Sequence, residues 1–170
     1  MSETTKDWEI LFQSQIPDAL RLAVRLAGNV HDAEDILQEA LFRAARARET
    51  FRGDCTFRTW LNRIIVNVFR TWVASRQSVE TLSEDPVAPC NTTDERNEQQ
   101  ARSELIAQHV SRLPARQREV LVFVTYETMS PQEVAELLGV TIQNVYSNLS
   151  AARQQLRRSL ESLMKTGVDQ

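Results

Sequence analysis

The chain contains 170 residues, of which 42% are hydrophobic, and carries 20 basic against 23 acidic side chains. This composition excludes a disordered chain, and four glycines are too few for the many tight turns of an all-β fold. The longest apolar run, Val120 to Val124, is far shorter than the roughly 20 residues of a membrane span. Because the first residues also lack the features of a signal peptide, we expect a cytoplasmic protein without membrane insertion.

No group of residues predicts catalysis or a bound metal. Cys55 and Cys90 lack the spacing of a zinc site, and neither His31 nor His109 has an obvious nucleophile near it in the sequence. We therefore predict that the protein is not an enzyme and that it uses no metal and no cofactor.

Charge alternates along the chain. Residues 7–42 sum to −5, residues 43–76 to +6, and residues 77–100 to −5. The basic stretch contains eight arginines and only two acids. This pattern predicts that an anion is contacted there, although an ordinary solvated surface has a similar composition.

Three helices are predicted in the first 76 residues. Apolar side chains repeat at helical spacing up to Gly28, where the first helix should end. The second should run from about 32 to 49 with Asp32 as its N-terminal cap. A loop over residues 51–56 then leads into a third helix that is rich in aromatic and aliphatic residues.

Residues 77–100 predict a flexible acidic linker, since they hold two prolines, six acids and few apolar residues. The predicted fold class is therefore all-α. Two small helical domains, residues 1–76 and 101–170, are joined by this linker.

The sharpest local signal lies in the second domain. Ser130, Pro131 and Glu133 have the order of a capping box with proline at the first helical position. Gly139 then separates this helix from a second one that Thr141 can cap. Two helices joined by a short glycine turn predict a helix-turn-helix, with a plain packing hairpin as the alternative.

These segments, in this order, resemble bacterial sigma factors. The run from Asp32 to Ala40 is similar to the region that docks on RNA polymerase, and Phe51 to Ile64 is similar to the promoter-melting region that follows it. Leu113 to Val120 and the helix-turn-helix resemble the C-terminal sigma domain. With only these two domains, the chain is most similar to the extracytoplasmic-function (group four) sigma factors.

The resemblance implies partners and binding residues. The partners are core RNA polymerase, through the clamp helices of its largest subunit and its flap, and promoter DNA; an anti-sigma factor is a further candidate. The residues implied for the polymerase are Asp35, Gln38 and Glu39. Those implied for the minus-ten element, where a flipped base is captured, are Phe51, Arg52, Asp54, Arg58, Arg63, Asn67 and Arg70. Those implied for the minus-thirty-five element are Gln143, Asn144, Ser147 and Arg153.

Each group also has a plainer interpretation. The polymerase-binding residues can be a solvated helix face, and Trp60 and Trp72 are predicted to belong to the core rather than to stack on bases. The sequence departs from the family at Tyr146, Asn148 and Ala151, where basic residues are usual. Neutral and aromatic side chains there favour the alternative function, a sigma-like module whose second domain binds a protein.

Overall fold

A computed structural model describes residues 3–80 and 106–166. Within these ranges all regular structure is helical, which confirms the all-α prediction. Residues 106–111 form helix α4, and most of the predicted linker lies outside the described residues. The other helices are α1 (Glu3–Ala27), α2 (Val30–Arg46), α3 (Phe57–Glu80), α5 (Ala115–Thr125), α6 (Pro131–Leu138) and α7 (Ile142–Thr166), with a 3₁₀ turn at Arg48–Thr50.

The first domain is a packed trio of α1, α2 and α3. As predicted, α1 stops at Gly28, whose φ of +90° suits glycine. α3 begins where the Thr56 hydroxyl accepts a hydrogen bond from the Thr59 amide at 3.1 Å. It continues to Glu80, four residues beyond Arg76, the last residue of the predicted first domain. Within the described ranges, every helix is too short or too polar to span a bilayer.

The predicted cap of α2 is wrong. The helix begins at Val30, and Asn29 is the N-cap, its side chain accepting from the Asp32 amide at 2.9 Å. The Asp32 carboxylate is buried and accepts instead from Arg76 in α3, also at 2.9 Å. Sequence order could not show that α3 contributes a cation at this position.

The second domain contains the predicted helix-turn-helix, formed by α6 and α7, with α5 packed against both. Ser130 and Glu133 form the capping box in both directions. Gly139 adopts a left-handed conformation with φ of +66° between the helices. The Thr141 hydroxyl then accepts from the Asn144 amide at 3.2 Å and caps α7. All three local predictions are confirmed.

The two domains pack against each other. α5 contacts α1 and α3, α6 contacts α3, and the buried apolar residues of both domains form one continuous cluster. Arg118 lies in this interface and donates to the carbonyl oxygens of Leu26 in α1, at 2.5 Å, and of Leu113, at 3.0 Å. Burial lowers the pKa of Arg118 to about 10, and the neighbouring Glu119 acts in the opposite direction. Nothing in the sequence predicts this docking.

Candidate polymerase and nucleic-acid interfaces

One face of α2 carries the residues implied for polymerase binding. Asp35, Gln38 and Glu39 are all exposed, because the apolar stripe on the opposite side of the helix is buried against α1 and α3. Together with Phe42 they line a shallow surface hollow of about 350 Å³. Glu39 also accepts from Arg43 one turn later, at 2.7 Å. The structure therefore brings these three residues together.

Phe42 also belongs to this face, although it is not among the residues that the resemblance implies for polymerase binding. Its side chain is 58% exposed, with the guanidinium of Arg46 5.7 Å from the ring centroid. The spacing gives the signal that could have found it, since Phe42 follows Gln38 by four residues and Asp35 by seven. An exposed aromatic ring among polar groups is typical of a protein-contact surface.

The loop before α3 is built on an aromatic cluster. Phe51 is half-buried, with its ring centroid 5.4 Å from that of Trp60 and 5.8 Å from that of Phe57. Trp60 therefore packs against the core, as expected. Arg52 and Asp54, by contrast, are exposed on the loop. The loop thus exposes charged side chains to solvent, whereas its Phe51 ring contributes to the packing of the core.

Arg63, Asn67 and Arg70 lie on one side of α3, at spacings of four and three residues. Arg63 and Asn67 are exposed. A helix rise of about 1.5 Å per residue places Asn67 roughly 15 Å along α3 from Phe57. We call Arg63, Asn67 and Arg70 the α3 ridge. A nucleic-acid strand that ran along α3 would contact the loop near the start of the helix and the α3 ridge further along it.

Two of the arginines implied for DNA binding form ion pairs with acidic side chains of the second domain. Arg70 donates to both carboxylate oxygens of Glu119, each at 2.8 Å. Arg58 lies on another side of α3 and donates to Glu127 at 2.5 Å. Arg58 is therefore not part of the α3 ridge. Arg58 and Arg70 both form ion pairs across the domain interface.

The first two turns of α7 present a neutral polar face. Gln143, Asn144 and Ser147 are exposed together. Their amide and hydroxyl groups can donate to and accept from base edges. Tyr146 is 56% exposed and lies beside Gln143, one turn later at a spacing of three residues, and Arg153 lies two turns after Tyr146.

Few charged side chains lie near this face of α7. Asn148 is half-buried and donates to the Asn144 carbonyl at 2.7 Å, so it is partly used within the helix. Arg157, further along, donates to Glu161 at 2.7 Å, and this bond raises the pKa of Arg157. Among the described side chains no group of three potential metal ligands comes together.

Both domains match known protein families. Residues 11–79 match the family "Sigma-70 region 2", and residues 103–156 match "Sigma-70, region 4". The chain is 33% identical over 141 residues to the RNA polymerase sigma-E factor of Streptomyces coelicolor, covering 83% of this chain and 78% of that protein. It is 34% identical over 156 residues to the ECF RNA polymerase sigma factor SigE of Mycolicibacterium smegmatis, covering 88% of this chain but only 60% of the relative.

A solved structure shows the same fold. The sigma factor RpoE of Bartonella quintana, in complex with the anti-sigma factor NepR, superposes with a TM-score of 0.72 at 23% identity, covering 92% of this chain and 98% of that one. The helical domains and their two sequence matches define a protein of the sigma-70 class. More narrowly, the chain belongs to the ECF sigma factor family, since it is 31% identical over 159 residues to the ECF RNA polymerase sigma factor SigM of Mycobacterium tuberculosis, covering 94% of this chain and 79% of that protein.

Proposed function

We propose that this chain is a sigma factor that directs RNA polymerase to promoters and starts DNA-templated transcription. The proposal rests on one observation, the presence of two exposed faces in the same chain. One is the face of α2 with Asp35, Gln38 and Glu39, and the other is the neutral polar face of a helix-turn-helix that begins with a complete capping box. The chain contributes no catalysis of its own. Its place is the cytoplasm, where core polymerase and promoter DNA are its partners.

The first domain carries two roles in this proposal. Asp35, Gln38, Glu39 and Phe42 bind the clamp helices of the polymerase. The loop and the ridge on α3 then bind the separated minus-ten strand. A base that leaves the duplex costs a few kcal/mol, and contacts from the loop offset that cost.

The second domain reads the minus-thirty-five element through Gln143, Asn144 and Ser147, and also binds the polymerase flap. An anti-sigma protein is a further proposed partner. The structural relative from Bartonella quintana is bound to the anti-sigma factor NepR, and its fold matches nearly all of this chain.

The alternative function is protein binding by the second domain. Tyr146 and Ile142 are both exposed, at 56% and 40%, near a groove that Ala135 and Val140 help to line. Aromatic and aliphatic side chains suit a protein surface better than a phosphate backbone. Under this alternative the chain would bind polymerase and open the minus-ten element without reading upstream DNA.

Run-off transcription with purified core polymerase on a random promoter library tests both functions. We expect transcripts that depend on the chain and share a minus-ten and a minus-thirty-five sequence. Gln38→Ala combined with Glu39→Ala should weaken co-purification with core polymerase without unfolding, because both side chains are exposed. Glu34→Ala, an exposed acid on the same helix, is the matched control.

The outcomes separate the possibilities. Transcripts that share only a minus-ten sequence would favour the protein-binding alternative for the second domain. An absence of chain-dependent transcripts would refute the sigma function. Unchanged co-purification of the double variant would remove α2 as the polymerase-binding face.

A further inference from the structure

The loop before α3 is held at its two ends only. The Phe51 amide donates to the Arg48 carbonyl at 3.3 Å at the start of the loop, and the Thr56 hydroxyl caps α3 at its end. Between these points, residues 52–55 form no hydrogen bond and no ion pair with any other residue that the structure describes. Gly53, in the middle of this stretch, has a φ of +77° and open space where a Cβ would lie. The position of the loop therefore depends on what fixes Phe51 and the start of α3.

Trp8 of α1 contacts both ends of the loop. Its ring centroid lies 5.9 Å from that of Phe51, the first residue of the loop, and 5.2 Å from that of Phe57, the residue that follows the loop. The Trp8 and Phe57 rings meet at 82°, the edge-to-face arrangement that aromatic pairs favour. Trp60, one turn further along α3 than Phe57, lies 5.8 Å from Trp8 and completes the cluster. One indole ring thus links the residues on either side of the loop.

The Trp8 ring is itself fixed by its neighbours. The Phe12 ring, one helical turn later on α1, lies 5.4 Å away, and α1 packs against both α2 and α3. An indole side chain has only two torsions, so once packed it is a rigid support at a small cost in conformational entropy. Trp8 is half-buried, which places it at the edge of the core beside the loop rather than deep within the core. Its position suits a support for the loop.

We propose that Trp8 is a positioning residue for capture of the flipped base. It acts through the rings of Phe51 and Phe57, which fix the two ends of the loop, and does not contact DNA itself. Arg52 and Asp54, the exposed side chains of the loop, are then presented to the strand in a fixed place. A loop that is ordered before binding loses less conformational freedom when it binds, so affinity rises without any new contact. This inference rests on the proposed function, which assigns the loop to the separated minus-ten strand.

The plainer alternative is that Trp8 only stabilises the fold. A loss of core packing would then lower the stability of the whole domain, and the loop would be affected no more than any other segment. Positioning predicts a different outcome, because residues 52–55 have no hydrogen bond within the described part of the chain to hold them once the ring is lost. The order of the loop should then decrease while the rest of the folded chain keeps its own.

Cys55 lies in the loop and can report on its order without DNA. The cysteine is free and half-buried, and Cys90→Ser leaves it as the only thiol of the chain. In this background Trp8→Leu should raise the rate of Cys55 alkylation by iodoacetamide about fivefold or more, because a less stable segment opens more often. Trp8→Phe retains an aromatic ring and should stay within about twofold of the parent chain. Intact mass spectrometry measures the rates.

Trp72→Leu is the matched control for lost stability. Trp72 is also a half-buried tryptophan packed against the core, but it lies twelve residues beyond Trp60, about 18 Å along α3. The variant should be less stable in urea unfolding, while its Cys55 rate should change by no more than about twofold. Equal rates in the parent chain and Trp8→Leu, or an equal increase in Trp72→Leu, would overturn the proposal. If Trp8→Leu does not fold, Trp8→Met, which keeps a large apolar side chain without a ring, takes its place.

An abasic scan tests the link to base capture. The full chain is bound to core polymerase, and each base of a premelted minus-ten element is replaced in turn by an abasic site. On the intact template Trp8→Leu should weaken binding about tenfold, in the range that the loss of contacts to a single base gives. At the captured position it should weaken binding less than about twofold, because no base is left to hold. Trp72→Leu should change the affinity by the same factor on every template.

Fluorescence anisotropy of the labelled template gives these affinities. A loss from Trp8→Leu that is equal on the intact template and at every abasic position would reduce Trp8 to a core residue. If Trp8→Leu raises the Cys55 rate but the wild type gives no chain-dependent transcripts, Trp8 orders the loop but the sigma function fails, and base capture with it. If the wild type supports transcription and Trp8→Leu changes neither the Cys55 rate nor the abasic pattern, the sigma function stands and positioning fails.

Discussion

The side chain of Phe51 has two roles, one implied by the resemblance and one shown by the structure. The resemblance assigns it to the pocket for a flipped base, and the structure packs its ring against Trp8, Phe57 and Trp60. Truncation to alanine would therefore remove core packing as well as any contact with a base, at a cost of about 2 kcal/mol or more. The exposed neighbours Arg52 and Asp54, with Asn67, are the better probes of DNA contact.

We expect Arg52→Ala, Asp54→Ala and Asn67→Ala together to abolish open-complex formation on a duplex promoter. Polymerase binding should persist, and the free energy of unfolding should change by only about 0.5 kcal/mol per site, because the three side chains are exposed. A template with a premelted minus-ten bubble should restore part of the activity, since strand separation no longer costs energy. Permanganate footprinting measures the melting. Glu49→Ala is the control, and normal permanganate reactivity in the triple variant would move the base pocket elsewhere.

Residue exposure was largely predictable, because it follows from helical periodicity. Asp35, Gln38 and Glu39 are exposed for that reason, and so are Gln143 and its neighbours. What could not be predicted is which arginines are free. The partners of Arg58 and Arg70 lie 69 and 49 residues away in sequence, and periodicity reports only on neighbours along the chain.

At the scale of the helix, the N-terminal caps of α2 and α6 are both local, but only one was predicted correctly. The capping box of α6 joins Ser130 and Glu133, three residues apart. The cap of α2 is Asn29, which accepts from the Asp32 amide, also three residues away. Asn and Asp are both favoured at the cap position, so local preference alone does not choose between Asn29 and Asp32.

The capping box supplies a prediction on pH. Hydrogen bonds from the Ser130 hydroxyl and the Ser130 amide lower the pKa of Glu133 below its ordinary value of 4.5. A carboxyl whose pKa is lower in the folded chain stabilises it above the ordinary pKa and loses that contribution as pH falls through the folded value. Ser130→Ala should cost about 1 kcal/mol at neutral pH, and the cost should decrease as pH falls below the ordinary pKa of Glu133, measured by urea unfolding. A cost that stays constant with pH would exclude the ionised Glu133 from the box.

At the scale of the whole molecule, each domain was predictable and their contact was not. Apolar periodicity indicates which face of a helix is buried but not which other helix covers it. Leu26, Phe69 and Phe123 join one continuous cluster that crosses the domain boundary. The predicted acidic linker suggests independent domains, and only the packing shows that they share a core.

Because of this shared core, we expect the full chain to unfold in a single cooperative transition. Differential scanning calorimetry should give equal calorimetric and van't Hoff enthalpies for the wild type. Glu119→Gln with Glu127→Gln should split or broaden the transition, since each domain then unfolds without the other. The exposed pair Glu34→Gln with Glu136→Gln should leave it single. Two transitions in the wild type would mean that the interface contributes little coupling.

The face of α2 that carries Asp35, Gln38 and Glu39 is exposed while the two domains are packed against each other. If this face binds polymerase, as proposed, the chain can bind the enzyme in its packed state, without separating its domains first. Association that requires a conformational change is slower than association that does not. We therefore expect the first encounter with polymerase to be limited by diffusion and orientation rather than by the opening of the chain.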